Sequence, residues 1–200
     1  MEGRENVFVN QEEIVSQDNI SKLAKDLTGL SLDDPKMINR FFDDYEKIND
    51  KYDLPYMSLL FKNPTAYYKN LKSVLDENNI PLYKQSSTDE FFKKNPEAIA
   101  CYFSKVKYIL INETSIENND STGFLILSVL THETIHALQD KRNYQMSIEE
   151  KEYEAHIGSL PFSSLKDNSK KITVNVMGIF NEISQSVEIY NRQMSQLIEI

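Results

Sequence analysis

An apolar run that leads directly into ionisable side chains is the feature that most constrains the fold. Phe124–Leu130 is apolar at every position except Ser128. As a helix this run is apolar on almost every face, so we expect its two turns to be buried at the centre of the protein. The next residues include His132, Glu133 and His136. The chain must therefore fold around a buried helix that carries two histidines and an acid.

The spacing of these three residues is that of a zinc site. Histidines four residues apart share one helix face, so both imidazoles can reach one ion at about 2.0–2.1 Å. Glu133 lies at the edge of that face, where it can take a proton from a water bound to the ion. The HExxH pattern predicts His132 and His136 as zinc ligands and Glu133 as general base. The alternative is a pair of core or surface histidines without a metal.

A zinc site for hydrolysis needs a third protein ligand and an open position for water. Ser147 and Glu150 have the spacing of a capping box, which predicts that a second helix begins at Ile148. The short connection makes the two helices antiparallel neighbours. At about 1.5 Å per residue, Glu152 then reaches roughly the height of His136. Glu152 is therefore the predicted third ligand.

Other residues near this point are less suited to bind the metal. A third histidine six residues after the motif is excluded, because Arg142 stands there. Glu149 and Glu150 lie in the first turn of the second helix, where acids favour the positive end of the helix dipole. Glu154 points about 160–200° away from Glu152, so we expect it to face solvent.

His156 lies four residues beyond Glu152 on the same helix face. Three roles are open to it: support of a ligand, donation to the oxyanion formed during hydrolysis, or metal binding. Tyr144 and Tyr153 are further candidates for the oxyanion donor. We count His156 with Glu133 as the predicted catalytic residues.

Capping signals predict helices in the first part of the chain. Asn10, Asp34-Pro35 and Asn63-Pro64 each precede an apolar stripe at helical spacing. The first of these helices is predicted to end at Gly29. We expect residues 1–79 to form an N-terminal helical layer that supports the rest of the fold.

Residues 80–112 favour strands, because β-branched and aromatic residues gather there at a spacing of two. Ile99–Phe103 and Val106–Ile111 flank Ser104-Lys105 and are predicted to form a hairpin. Ile80–Lys84 is predicted to add a short strand. Residues 80–200 then contain a small sheet and the metal-binding helix in one core.

A polar break after Lys166 precedes a long C-terminal helix. Its apolar residues alternate steps of four and three: Val176, Phe180, Ile183, Val187, Tyr190, Met194 and Leu197. Such a seam suits either packing on the core, which we favour, or a homodimer contact.

The composition of the chain restricts its partners and its compartment. The chain has 22 basic and 31 acidic residues, a net charge of −9, which repels the phosphates of nucleic acids. No apolar run approaches the roughly 20 residues needed to span a membrane. The single cysteine, Cys101, cannot form an internal disulfide, which favours a reducing, cytoplasmic compartment.

The motif pair resembles that of the gluzincin metallopeptidases. His132-Glu133-x-x-His136 is followed by Glu152-x-x-Ala155, and in gluzincins the second signature carries a glutamate ligand three residues before an alanine. The likeness is nearest to the minimal gluzincins, the ImmA/IrrE-type peptidases and the CAAX prenyl protease/HtpX group, and covers about residues 98–160.

The resemblance implies an α+β, zincin-like fold, predominantly helical with a small sheet beside the active-site helix. It implies zinc held by His132, His136 and Glu152, with Glu133 as base. Strand Lys107–Asn112 is similar to the edge strand that binds an extended substrate in such families. One departure is His156, since many of these families carry an aspartate there.

The sequence therefore predicts a zinc-dependent peptidase, a hydrolase that acts on a peptide or protein substrate. The alternative is a non-catalytic protein of the same scaffold that binds or regulates a partner through the metal cleft and the edge strand. Glu133 favours the enzyme, because a structural metal site gains nothing from a base beside an open position.

Overall fold

Helices dominate the described part of the chain, and two small sheets complete it. The computed structural model describes residues 16–96, 98–114, 124–159, 165–168 and 171–198. In chain order the elements are α1 (Gln17–Thr28), α2 (Met37–Tyr52), α3 (Met57–Lys62), α4 (Pro64–Glu77), β1 (Leu82–Gln85), α5 (Glu90–Lys94), β2 (Ala100–Phe103), β3 (Tyr108–Asn112), α6 (Phe124–Lys141), α7 (Ile148–Ser159), β4 (Leu165–Asn168), β5 (Lys171–Val174) and α8 (Val176–Ile198). This composition agrees with the predicted α+β class.

Two helix signals of the N-terminal layer are confirmed. α4 begins at Pro64, and the side-chain oxygen of Asn63 accepts a hydrogen bond from the Ala66 N–H at 3.0 Å. α1 ends at Gly29, whose φ of 76° lies in the left-handed region that glycine adopts without a steric penalty. These caps satisfy backbone groups that a helix end leaves unpaired.

Two predicted helix starts differ from the structure. α1 begins at Gln17 with Ser16 as its N-cap, while the predicted cap Asn10 lies outside the described residues. α2 begins at Met37 rather than at Pro35. The short helix α3 has no counterpart in the sequence prediction.

β3 is the central strand of a three-stranded sheet with the order β1-β3-β2. β1 runs parallel to β3, and β2 pairs with β3 in the antiparallel sense. The predicted hairpin is confirmed, although its turn spans residues 104–107. The prediction that Lys107–Asn112 is an edge strand is wrong, because neighbouring strands pair with both of its sides. The sheet edge that lies against α6 is β2.

Two strands that we did not predict, β4 and β5, follow α7. β4 and β5 pair in the antiparallel sense, with Leu165 opposite Val174, where we expected only a polar break. α8 follows and packs against α7 and α1. Its residues Ile179, Phe180 and Ile183 are fully buried. Over this part of the helix, packing on the core is therefore observed, and the homodimer contact stays a prediction.

α6 is buried along much of its length, but its apolar start is buried less completely than predicted: Leu127, Ser128 and Leu130 are buried, whereas Leu125, Ile126 and Val129 are half-buried. Leu130, Ile135 and Leu138 are almost inaccessible to solvent. The hydroxyls of Thr131 and Thr134 each donate to the carbonyl four residues earlier at 2.7 Å, so their burial leaves no donor unpaired. Among the described residues, no helix is both long and apolar enough to cross a membrane.

A glycine lets three helices approach one another next to the histidines. A methyl group added at Gly158 of α7 would lie 2.5 Å from Ile135 Cδ1 of α6 and 2.7 Å from Ile48 Cγ2 of α2. Both distances are far below van der Waals contact. The close packing of α2, α6 and α7 therefore depends on the missing side chain at this position.

We expect Gly158→Ala to lower the free energy of unfolding by about 1–2 kcal/mol, because overpacking outweighs the better helix propensity of alanine. Ile135→Val removes the nearest clashing atom and by itself should cost about 0.5–1.5 kcal/mol. The double variant should be less destabilised than the sum of the single variants. Urea unfolding of all four proteins measures this coupling, and additive effects would contradict the packing described here.

Candidate metal centre

The two motif histidines project from the same face of α6. Their Nε2 atoms lie 3.1 Å apart. Each ring also has a partner on the protein: His136 Nδ1 lies 3.0 Å from Gln139 Oε1, and the backbone of Ala155 hydrogen-bonds to His132. Both imidazoles are therefore oriented with Nε2 towards one shared point.

α7 brings a carboxylate to this point. Its start is fixed by the predicted capping box, in which the Ser147 N–H donates to Glu150 Oε2 at 2.8 Å and the Glu150 N–H donates to Ser147 Oγ at 3.1 Å. Glu152 follows in the first turns, with Oε1 3.5 Å from His136 Nε2 and Oε2 3.7 Å from His132 Nε2. The structure thus places the three predicted ligands together.

These distances fit a metal ion. A tetrahedral zinc ion with bonds of about 2.0–2.1 Å holds its ligand atoms about 3.3 Å apart, close to the 3.1 Å between the two Nε2 atoms. Glu152 faces each histidine with a different oxygen, Oε1 at 3.5 Å from His136 and Oε2 at 3.7 Å from His132. Glu152 is only 8% exposed, and its Oε2 atom is buried without a hydrogen-bond partner. A buried, unpaired carboxylate oxygen is costly unless a cation satisfies it. Nitrogen and oxygen donors of this kind suit zinc.

The pKa values of His132, His136 and Glu152 depend on one another. Burial lowers the pKa of His132 well below its ordinary value, and His156 and His136 lower it further. Burial also opposes the charge of His136, but the Glu152 carboxylate outweighs this and raises the pKa of His136 to about 9. Burial disfavours the charge of Glu152, yet His136 lowers the pKa of that carboxyl. A cation that binds here therefore competes with the proton of His136.

Glu133 lies between α6 and the edge of the sheet. Its Oε2 accepts a hydrogen bond from the backbone N–H of Tyr102 in β2 at 2.7 Å. The Tyr102 hydroxyl donates to Asp140 at 2.6 Å, which ties β2 to α6 a second time. Burial raises the pKa of Glu133, although His136 and the Tyr102 N–H act in the opposite direction. A raised pKa suits a group that must accept a proton.

His156 lies on the same face of α7 as Glu152, as predicted. Its Nε2 is 3.9 Å from Glu152 Oε2 and 3.2 Å from Ser186 Oγ of α8. Single donor atoms of His132, Glu152 and His156 all lie within 4.8 Å of one another. His132 and Glu152 therefore have both His136 and His156 as neighbours, and the donor group in which each residue offers one atom contains His156.

The prediction that Glu154 faces solvent is wrong. Its carboxylate accepts hydrogen bonds from Lys51 Nζ at 2.7 Å, from the Tyr52 hydroxyl and from Gln139 Nε2 at 3.3 Å. The helix geometry that turned Glu154 away from Glu152 was correct. The side chain nevertheless meets α2 instead of water, because the N-terminal helices pack against that side of α7.

The two tyrosines considered as oxyanion donors are engaged elsewhere. The Tyr153 hydroxyl donates to Asp44 of α2 at 2.9 Å. The ring of Tyr144 packs edge-on against Tyr52 and under Lys51 Nζ. Of the predicted oxyanion donors, His156 is the one whose side chain lies beside the predicted ligands, with Nε2 3.9 Å from Glu152 Oε2.

Gln139 and Ser186 touch this centre and were missed by sequence reasoning. Gln139 follows His136 by three residues, a spacing that puts both on one helix face, so the signal for Gln139 was present. Ser186 belongs to α8 and follows His156 by thirty positions. Its contact depends on how α8 packs, which local spacing does not reveal.

Comparisons of the chain with protein-family models, with curated proteins and with solved structures found no match. No family is therefore assigned. The function has to be argued from the residues of the site and from their geometry.

We expect zinc to raise the midpoint of thermal unfolding, since a ligand at 100 times its dissociation constant adds about 2.7 kcal/mol of stability. Glu152→Gln keeps the size of the side chain but removes its charge, so zinc retention after dialysis and the thermal shift should both fall sharply. Glu149→Gln, the same change on the same helix, should behave like wild type. An equal thermal shift in all three proteins would show that Glu152 is not a ligand.

Proposed function

We propose that the protein is a zinc-dependent peptidase with a zincin-like fold, in which His132, His136 and Glu152 hold the metal. The observation that carries the proposal is the buried, unpaired Glu152 Oε2 at 3.7 Å from His132 Nε2. Glu133, one residue along α6, supplies the base that a purely structural metal site does not need.

A bound zinc ion supplies Lewis-acid polarisation of a carbonyl group and a water of lowered pKa. Glu133 would accept a proton from the water as its oxygen attacks the substrate carbonyl, and would deliver that proton to the amine nitrogen as the C–N bond breaks. Because the Tyr102 N–H occupies Oε2 of Glu133, Oε1 is the oxygen left to carry this proton. The side chains of His132 and His136 are 17% and 19% exposed, and the proposal requires that water and a substrate carbonyl reach the centre from this side.

His156 is proposed to assist the reaction from α7. Burial, together with His136, lowers its pKa to about 3, so the ring is neutral near pH 7 and donates through a single N–H. Ser186 holds Nε2 at 3.2 Å and fixes the ring plane. In this position His156 can donate to an oxyanion that develops beside Glu152.

An extended peptide is the proposed substrate, and β2 is the edge strand that receives it. In the antiparallel pair with β3, Asn112 N–H donates to Ile99 O at 2.8 Å. The alternation of such a ladder turns the backbone groups of Ala100 and Tyr102 away from β3. Since the Tyr102 N–H is bound to Glu133, the Ala100 N–H and the carbonyl groups of Ala100 and Tyr102 are the groups proposed to pair with a bound strand, which would bring its scissile carbonyl towards the metal.

The other expected partners and the compartment rest on composition. The net charge of −9 disfavours nucleic acid, and a membrane is not among the proposed partners. The single cysteine, Cys101, favours a reducing compartment such as the cytoplasm.

A second candidate function is binding without catalysis, and the position of His156 favours it. Its Nε2 lies 3.9 Å from Glu152 Oε2, so a third imidazole can close the coordination shell. Four protein ligands and no open position are typical of structural zinc sites. Such a protein would use the metal and the β2 edge to recognise a partner.

The variant Glu133→Gln separates the two functions. We expect it to keep zinc and to lose cleavage of a mixed peptide library by about 10²–10⁴-fold, the usual contribution of a general base. Mass spectrometry of the products measures cleavage, and metal analysis measures zinc.

Glu149→Gln is the matched control and should cleave as wild type does. Zinc-loaded wild type that cleaves no peptide would support the binding function instead. Cleavage at the wild-type rate by Glu133→Gln would refute the role of Glu133.

A further inference from the structure

A chain of buried hydrogen bonds leads from the metal ligand His136 to the N-terminal helices. Gln139 is 1% exposed, and its Oε1 lies 3.0 Å from His136 Nδ1. Its Nε2 donates to the Lys151 carbonyl at 3.1 Å and to Glu154 Oε2 at 3.3 Å. One amide therefore connects α6 and α7 beside the site.

The partners of Gln139 fix which way its amide points. A backbone carbonyl and a carboxylate can only accept, so the NH₂ group must face Lys151 and Glu154. The amide oxygen then faces His136, and it too can only accept. His136 must donate from Nδ1, which leaves Nε2 for the point shared with His132 and Glu152. In this way Gln139 selects the tautomer that a metal requires.

Glu154 is in turn held by α2. Lys51 Nζ lies 2.7 Å from Glu154 Oε1, and the Tyr52 hydroxyl donates to Oε2. The side chain of Glu154 is 16% exposed, so this ion pair is shielded from solvent more than a surface pair is. The position of Gln139 therefore depends on two residues of the N-terminal helices.

We propose that Gln139 is a positioning residue for His136 and that Lys51 and Tyr52 fix it through Glu154, so that α2 takes part in metal retention. The inference rests on the metal centre of the proposed function but not on peptidase activity. It gives the N-terminal helices a role beyond support.

The first test is zinc affinity, measured by competition with a chelator. Gln139→Met keeps the length of the side chain and removes its three hydrogen bonds, and it should weaken zinc binding about 10–100-fold, as loss of such outer partners does. Gln145→Met makes the same change in the exposed connection between α6 and α7 and should leave the affinity unchanged. Equal affinity in both variants would overturn the proposal.

The second test concerns the outer end of the hydrogen-bond chain, where Lys51 binds Glu154. Lys51→Met should weaken zinc binding several-fold, but less than Gln139→Met does. Lys47→Met is the control one turn earlier on α2, where Lys47 faces Asp44 at 3.5 Å. Wild-type affinity in Lys51→Met would overturn the part assigned to α2.

The third test needs no variant and remains decisive if Gln139→Met fails to fold. A ¹H–¹⁵N correlation spectrum of the zinc-loaded wild type should show His136 protonated at Nδ1 and metal-bound at Nε2. Metal at Nδ1, or an unprotonated Nδ1, would overturn the proposal. If wild type binds no zinc, the proposed function fails as well, whereas tight binding by Gln139→Met removes only this inference.

Discussion

The interaction on which the site depends is the burial of one carboxylate between two helices. Glu152 is 8% exposed, and one of its oxygens has no hydrogen-bond partner. An ionised carboxylate in such surroundings needs a nearby positive charge. The protein provides the His136 ring at 3.5 Å, whose charge is a proton that a metal can replace. The acid and the two histidines thus lie close enough together to be the proposed ligands of one cation.

The rest of the fold holds these three side chains in position. The apolar first turns of α6 bury that helix, and Gly158 allows α2 and α7 to approach it closely. The β2 strand is tied to α6 through Tyr102, which contacts both Glu133 and Asp140. Because each contact comes from a different layer, the site depends on the packing of the whole domain and not on the motif helix alone.

Helix spacing and capping signals were sufficient to predict which side chains meet at the centre of the site. The contact between His132 and His136 follows from a spacing of four on a helix, and the approach of Glu152 follows from the capping box at Ser147 and a short connection. Those features need only the geometry of two neighbouring helices. The burial of α6 was predicted only in part, because its apolar run indicates burial on every face whereas Leu125, Ile126 and Val129 are half-buried.

Other features could not be read from the sequence, because they depend on distant packing. Strand order decides which strand is the edge, and the pairing of β1 with β3 is a contact that periodicity does not specify. The direction of Glu154 was predicted correctly, but what it meets depends on where α2 packs. The β4–β5 pair is different, because Ile172 and Val174 alternate with polar residues and gave a short strand signal that the prediction of a polar break passed over.

The most direct test of the central claim is a crystal structure of the zinc-loaded protein with an anomalous difference map at the zinc absorption edge. The account predicts one peak, about 2.0–2.1 Å from Nε2 of His132, Nε2 of His136 and a carboxylate oxygen of Glu152. A zinc peak bound by other residues, or a Glu152 side chain that points away from an empty histidine pair, would contradict it.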